Sequence, residues 1–200
     1  MNAPINAITN RERLLLAARA VFLEQGPDAS VDAIIRQAGV ARQTFYNHFQ
    51  NKESLFTEVV RDCFLDIVAP LDGPAENFRT SLKNFAEIYR RRALGPEGIA
   101  AYRMLSSQAQ RFPDMVREVY LQGTGQMLER LAGFLRKAME IGQLHNDDPV
   151  FAAELLISML AGQERSQLLF GVRRPPGDEM MKVERVLDCF MRLFAVVRDE

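Results

Sequence analysis

A run of hydrogen-bonding side chains, Arg42-Gln43-Thr44 and Tyr46-Asn47-His48, stands between Ser30 upstream and Lys52 downstream. On a helix at about 100° per residue, Ala41 and Phe45 fall on one side, and Arg42, Gln43, Tyr46 and Asn47 cover the opposite arc. That arc offers a guanidinium suited to guanine, an amide suited to adenine and a phenolic hydroxyl, a set that reads base edges in the major groove of DNA. The solvated face of an ordinary helical hairpin more often carries Glu and Lys, yet short helix pairs with a Gly turn are common, so composition alone leaves both readings open. His48 falls near the inner side of the wheel, where a structural imidazole and a DNA contact both fit. Phe45 and Phe49 read as core, not as stacking platforms.

Catalytic chemistry has little to work with. The two histidines, His48 and His145, make no Glu-x-x-His pair for a carboxylate-bridged di-iron centre. There is no Cys-x-x-Cys, no His-Glu-x-x-His, no Gly-rich phosphate loop and no serine hydrolase signature. No metal, no cofactor and no enzymatic activity are expected, and an all-α enzyme is the weakest of the alternatives. Cys63 and Cys189 each lie inside an apolar helical pattern and read as two buried thiols; their number excludes a disulfide framework.

The elements that position these residues are helical throughout. Leu14, Ala18, Val21 and Phe22 mark a first helix, capped at Asn10 and stopped by Gly26-Pro27. Ser30 caps a short second helix carrying Val31, Ile34 and Ile35, and Gly39 ends it. A third runs from about Ala41 to Phe49. The link Ala38-Gly39-Val40 between two short helices has helix-turn-helix spacing. Asn51 then caps a longer helix through Phe56, Val59, Val60, Cys63, Phe64 and Ile67. Beyond the Pro70–Pro74 break, Phe78, Leu82, Phe85 and Tyr89 mark one helix and Ile99 to Gln110 another. A long segment from Pro113 to Gly142 is expected to kink at Gly123 and Gly125. Asp148-Pro149 opens a helix to about Phe170, and Asp178 opens the last, to about Val197. No β-alternation and no internal repeat occur. The expectation is an all-α fold with residues 1–9 a disordered arm, 10–55 a three-helix helix-turn-helix DNA-binding domain, and 56–200 a larger helical bundle.

Bulk properties narrow the function. The chain has 200 residues, 48% hydrophobic and 26% charged, enough for a real core. A net charge of −1 excludes adhesion to nucleic acid by bulk charge. The cations are 21 Arg against 4 Lys, and Arg is the better bidentate donor. From Cys63 onward there are 18 basic and 19 acidic residues, so no electropositive surface is implied there. No apolar run approaches the ~20 residues that span a bilayer. Residues 1–10 carry no charged side chain and no apolar stretch of signal-peptide type, so a cytoplasmic protein is expected.

The run Gly39-Val-Ala-Arg-Gln-Thr-Phe-Tyr-Asn-His-Phe-Gln-Asn-Lys-Glu-Ser-Leu-Phe56 resembles the signature of the TetR family of bacterial transcriptional regulators. The matching elements are Gly-Val, Thr-aromatic-Tyr, His-Phe, Lys-Glu and Leu-Phe, and the resemblance covers about residues 10 to 60. It implies a DNA-binding regulator in which the helix opened by Ser30 is a phosphate site. It also implies that Thr44, Tyr46, His48 and Lys52 contact the DNA backbone, with Tyr46 also reaching a base. Arg42 and Gln43 are the base readers expected from their chemistry, with Asn47 beside them. Ala41 departs from the family, which often has Ser there; a lost capping hydroxyl typically costs ~1 kcal/mol.

Arg111-Phe-Pro-Asp-Met-Val with Tyr120, and Gly142 to Pro149, resemble the C-terminal regions of multidrug-type members. By that resemblance the second half binds an effector and dimerises. Phe64, Phe85, Tyr89, Tyr102, Met104, Phe112, Met115, Tyr120 and Met127 are candidates for the wall of an apolar pocket with few polar groups facing inward, though aromatic and Met residues at helical spacing also serve as plain core. The last helix is apolar over more than one stripe, which calls for a partner. Phe151, Leu155, Met159, Val186, Phe190 and Phe194 are the expected interface of a two-fold homodimer, each subunit giving two helices to a four-helix bundle. The whole reading is a repressor on a palindromic double-stranded operator, released by a small apolar or amphipathic ligand. A DNA-bound factor acting through a protein partner is the alternative.

Overall fold

Helix α1 (Asn10–Gln25) is opened one residue earlier than its Asn suggests. Thr9 is the cap: its hydroxyl accepts from the Glu12 amide at 3.2 Å, and the Glu12 carboxylate accepts from the Thr9 amide at 2.7 Å. This reciprocal box satisfies two otherwise unpaired donors and displaces Asn10 into the first turn. The computed structural model describes residues 8–26, 29–73, 77–172, 177 and 179–196. The expectations for residues 1–7, Pro27, Pro74, Asp178 and Val197 fall outside them.

Helix α2 (Val31–Ala38) begins at Ser30, whose hydroxyl accepts from the Ala33 amide at 3.1 Å. It ends at Gly39, which takes the left-handed conformation at φ 61°, ψ 41°. There the Val40 amide donates back to the Ile35 carbonyl at 3.3 Å and Gly39 to Arg36. Helix α3 (Arg42–His48) follows after two residues, and α4 (Lys52–Val68) starts beyond Asn51, whose side chain accepts from the Ser54 amide at 2.7 Å. The core of this first unit is Leu14, Ala18, Val21 and Phe22 of α1 with Ile34, Ala38, Phe45, Phe49 and Leu55. Phe22 meets the Phe56 ring edge-on at 4.7 Å. That contact carries the first unit past residue 55, and the division from the second unit falls between Asp62 and Cys63, inside α4.

The second unit holds the end of α4 with α5 (Phe78–Leu94), α6 (Pro96–Gln108), α7 (Pro113–Tyr120), α8 (Gln126–Glu140), α9 (Pro149–Leu169) and α10 (Glu179–Phe194). Its core is built by α5, α8, α9 and α10 around Leu82, Phe85, Leu131, Leu135, Leu156, Leu160 and Leu187, with Phe78 stacked on Phe134 at 5.2 Å. Asp148 caps α9 through the Val150 amide at 2.8 Å, with Pro149 in the first turn, as its sequence suggests. Between α7 and α8 the expected kink is a π-helical turn, Leu121–Gly125. Gly123 is buried in it under the Phe64 ring; a Cβ there would lie 2.5 Å from Phe64 Cε2, so only Gly allows this approach. An isolated antiparallel bridge joins Leu144 to Ala195, and no strand forms among the described residues.

Four expectations are corrected here. Phe190 and Phe194 are 0% and 3% exposed and face their own subunit's core, so they are not available to a partner. The surplus apolar surface of α10 lies instead on Met180, Met181 and Leu193, with Val196 just beyond its end. Cys189 is exposed and Cys63 half-buried, not a pair of buried thiols. Tyr120 lies on the surface, off the expected pocket wall, and Tyr102 is exposed beside Arg165 and not inside the bundle: α6 buries Ile99 and α7 buries Val119, and a Tyr on so shallow a helix keeps its hydroxyl in water. The inward face is also less apolar than expected, because Arg90 and the Tyr89 hydroxyl both sit inside the second unit.

Candidate nucleic-acid interface

The recognition element is held by three features of the first unit. Phe45, wholly buried, anchors α3 and contacts the rings of Tyr46 and Phe49 at 5.1 and 6.0 Å. The Gly39 turn sets where α3 starts. Arg13 of α1 clamps that turn, donating to the Gly39 carbonyl at 3.0 Å and to the Asn10 side chain at 3.4 Å. Arg11 is tied to Glu58 and lies 5.7 Å from the centre of the Phe49 ring.

With Phe45 inward, Arg42, Gln43, Tyr46, Asn47 and His48 are all exposed, while Thr44 and Lys52 are half-buried. His48 therefore lies outside the core, which removes the structural-imidazole reading. Ala41 is exposed as well, not inward as the wheel placed it. The outer side chains are already ordered among themselves. Gln43 Nε2 donates to the side-chain Oδ1 of Asn47 at 3.1 Å, one helical turn away. Arg42 donates to Asp32 of α2 at 2.7 Å and sits 5.9 Å from the Tyr46 ring centre.

Both Arg42 and Asp32 are more than 60% exposed, so their pair is worth ~0–1 kcal/mol and yields to a competing base or phosphate. Asp32 is a residue that sequence reasoning passed over. Only the folded turn brings it under Arg42; in the sequence it reads as a favourable acid in the first turn of α2. Arg13 was missed for the same reason. Ser30 is exposed at the α2 N-terminus, with its hydroxyl already used for the cap.

The start of α3 lacks a side-chain cap, because Ala41 supplies none. Ala41→Ser is expected to raise the unfolding free energy by about 0.5–2 kcal/mol, read as a higher midpoint in urea denaturation. An unchanged midpoint would mean that the Ala41 backbone cannot present a hydroxyl to the free amides.

The second unit carries the inward charge. Arg90, 5% exposed, donates to Glu164 at 2.8 Å, to Glu179 at 2.6 Å and to the Leu160 carbonyl. Lys182 reaches the same two carboxylates at 3.2 and 2.8 Å. Burial alone would raise both carboxyls, but hydrogen bonds from Arg90 and Lys182 outweigh it and hold them below the ordinary Glu range. Of the proposed pocket wall, Phe85, Tyr89 and Met127 are buried, Phe64, Met104, Phe112 and Met115 half-buried, and Tyr102 and Tyr120 exposed. No helix among the described residues is long and apolar enough to cross a membrane.

Comparison with known proteins matches both units. Residues 14–59 fit the model of the tetR family of bacterial regulatory proteins, and residues 80–196 fit that of the AefR-like transcriptional repressor C-terminal domain. The HTH-type transcriptional regulator YdgC of Bacillus subtilis is 27% identical over 84% of this chain and 86% of its own. A solved structure of a flavonoid-responsive regulator, FrrA, superposes with a TM-score of 0.71 at 28% identity, covering 93% of this chain and 97% of that one. A TetR-family regulator from Mesorhizobium loti shares the fold, with a TM-score of 0.75 at 24% identity over 94% of this chain and 97% of its own. An exposed, Phe45-anchored reading helix behind a glycine turn and family matches to both units lead to one conclusion: the chain is a helix-turn-helix transcriptional regulator and belongs to the TetR family.

Proposed function

We propose that this regulator is a cytoplasmic, homodimeric repressor of a palindromic operator, released when a small amphipathic ligand occupies the second unit. The observation that carries the DNA half is the outward face of α3, with Arg42, Gln43, Tyr46 and Asn47 all exposed and prearranged. Arg42 leaves Asp32 to bond a guanine, and Gln43 exchanges Asn47 for a base edge. Thr44, Tyr46, His48 and Lys52 hold the phosphates, together with the amides behind Ser30. Two recognition helices about 34–36 Å apart read successive major grooves, which offsets the weak net charge of each chain.

The ligand half rests on the aromatic and Met content around Phe85, Tyr89 and Met127, and on similarity to a regulator described as flavonoid-responsive. A planar aromatic compound is therefore the first probe. Linkage requires reciprocity: a ligand that weakens DNA binding tenfold binds the DNA complex tenfold less tightly, about 1.4 kcal/mol of coupling.

Selection of bound sequences from a random duplex pool tests the operator reading, and enrichment of a palindrome is the expected result. On that operator, Arg42→Ala is expected to cost ~1–3 kcal/mol and to relax preference at one base pair. Lys52→Ala should weaken all sequences alike and reduce the salt slope by about 1. If Arg42→Ala leaves the ratio of cognate to scrambled affinity unchanged, Arg42 is not a base reader.

A further inference from the structure

Two guanidinium groups enter the second unit from α9 and α5, and they are neutralised very differently. Arg90 has Glu164 and Glu179 on its Nη2, at 2.8 and 2.6 Å. Arg165, next to Glu164 in sequence and also partly buried, has no carboxylate within ion-pair reach among the described residues. Its partners are aromatic: Nη2 donates to the Tyr89 hydroxyl at 2.6 Å, and the guanidinium lies 5.2 Å from the Tyr102 ring centre. Arg103, the residue after Tyr102 on α6, bonds a carbonyl instead, that of Leu169 at 3.4 Å.

Tyr89 cannot supply the missing charge. Burial pushes its phenol up, against the opposing pull of Arg165, so it stays neutral at physiological pH. Its ring is 4% exposed and stacks on Phe85 at 6.0 Å. A partly buried guanidinium with no carboxylate among its described neighbours has more to gain from an anion than one already paired. The surroundings, Phe85, Tyr89 and Tyr102, fit a planar ring better than a free inorganic ion.

The outer wall of this place is lightly buried. Helix α6 buries Ile99 and leaves Tyr102 46% exposed. Its first turn is pinned close against α5, where a Cβ on Gly98 would lie 2.1 Å from the Arg92 carbonyl oxygen. The turns beyond can separate from α5 and α9 at low cost, since few buried contacts hold them.

We propose that the junction of α5, α6 and α9 is the acid-binding end of the effector site: Arg165 takes the carboxylate or phenolate of an aromatic ligand whose ring lies along Tyr102 and Tyr89. The proposal rests on the effector reading above and narrows its ligand to aromatic weak acids. Arg165 needs little reorientation, because Tyr89 already fixes one of its nitrogens and the rest of the planar fork is left for two carboxylate oxygens.

The test is calorimetry on the full chain with 2-naphthoate and its neutral isostere 2-naphthamide, paired with operator-release measurements. The wild-type protein is expected to bind the acid about tenfold more tightly than the amide. Arg165→Gln should bring that ratio close to one. Arg165→Lys, which keeps the charge and loses the fork, should lower the ratio without abolishing it, and it serves should the Gln variant fail to fold. Tyr102→Leu should weaken both probes alike. A ratio near one in the wild type, or a ratio untouched by Arg165→Gln, overturns the acid site. Binding and operator release by the amide alone would overturn it too, while leaving the effector reading intact. If neither probe binds, the acid site is overturned, and the operator reading stands or falls on its own selection experiment.

Discussion

Arg90→Ala is expected to destabilise the protein by about 3–5 kcal/mol, the usual cost of removing one partner from a buried ion pair. The guanidinium is only 6% exposed and ties three elements together: α5 through its own backbone, α9 through Glu164 and the Leu160 carbonyl, and α10 through Glu179. Deleting it leaves Glu164, 16% exposed, with Lys182 as a longer-range cation, and leaves the Leu160 carbonyl without that donor. Glu179 is 60% exposed and should respond weakly, because water screens its share of the charge. The double variant Arg90→Met with Glu164→Leu is expected to recover most of the loss, since it removes both buried charges and fills their space. Chemical denaturation of the three proteins decides it. A double variant as unstable as Arg90→Ala would show that the Leu160 carbonyl and the packing of the Arg stem carry the effect, not the charge pair.

The same cluster predicts an acid limit. The carboxyls of Glu164 and Glu179 lie below the ordinary Glu range in the folded protein, so the folded state binds fewer protons there than the unfolded state. Their contribution is fully present above the unfolded value of about 4.3 and is lost as pH falls through the lowered folded values. A urea midpoint that is flat from neutral pH down to about 5 and then drops should become shallower in Glu164→Gln. An equally steep fall in that variant would assign the acid limit to other carboxylates.

How much of this was legible before the fold is best judged residue by residue. Helix ends written in local chemistry came through: Ser30, Gly39, Asn51 and Asp148-Pro149 each act where their type suggests. Asn10 did not, because Thr9 with Glu12 makes two bonds where a lone Asn makes one. The reading face of α3 was legible because Phe45, the one large apolar side chain near its middle, has to point inward. Depth in the second unit was not legible. Phe190 and Leu193 lie three residues apart, yet one is wholly buried and the other 55% exposed. An apolar excess says that a helix has two faces to cover, but not which belongs to its own core. Charge inside the bundle was invisible for a related reason: Arg90 and Glu164 lie 74 residues apart, and nothing local marks them as a pair. Arg165 and Tyr89, 76 residues apart, were hidden in the same way.

That sorting of faces decides where to break the proposed dimer. Phe194→Asp would fail as a test, since it places a charge in the core and unfolds the subunit. Leu193, 55% exposed at the end of α10, tests the interface cleanly. Phe151 is 53% exposed at the start of α9, and Leu155 and Met159 follow one and two turns along the same helix, half-buried. The bonds from His145 to the Leu193 and Phe194 carbonyls, at 2.7 and 2.8 Å, hold the segment that leads into α9 against the end of α10. On a monomer surface Leu193→Asp should change folding stability by no more than about 0.5 kcal/mol. In a two-fold interface it desolvates a carboxylate on each subunit, because both copies present the same patch. The expected result is a monomer by sedimentation at micromolar concentration that still unfolds cooperatively, with a melting temperature that no longer depends on protein concentration. Operator affinity should fall by roughly 10²–10⁴-fold, the advantage lost when two half-sites are no longer bound by one linked molecule. Half-site affinity should be unchanged, because α3 lies on the separate first unit. A Leu193→Asp protein that remains dimeric would move the interface off the α9–α10 face. A monomeric one that still binds the full palindrome as tightly as the wild type would show that dimerisation is not what gives this regulator its hold on DNA.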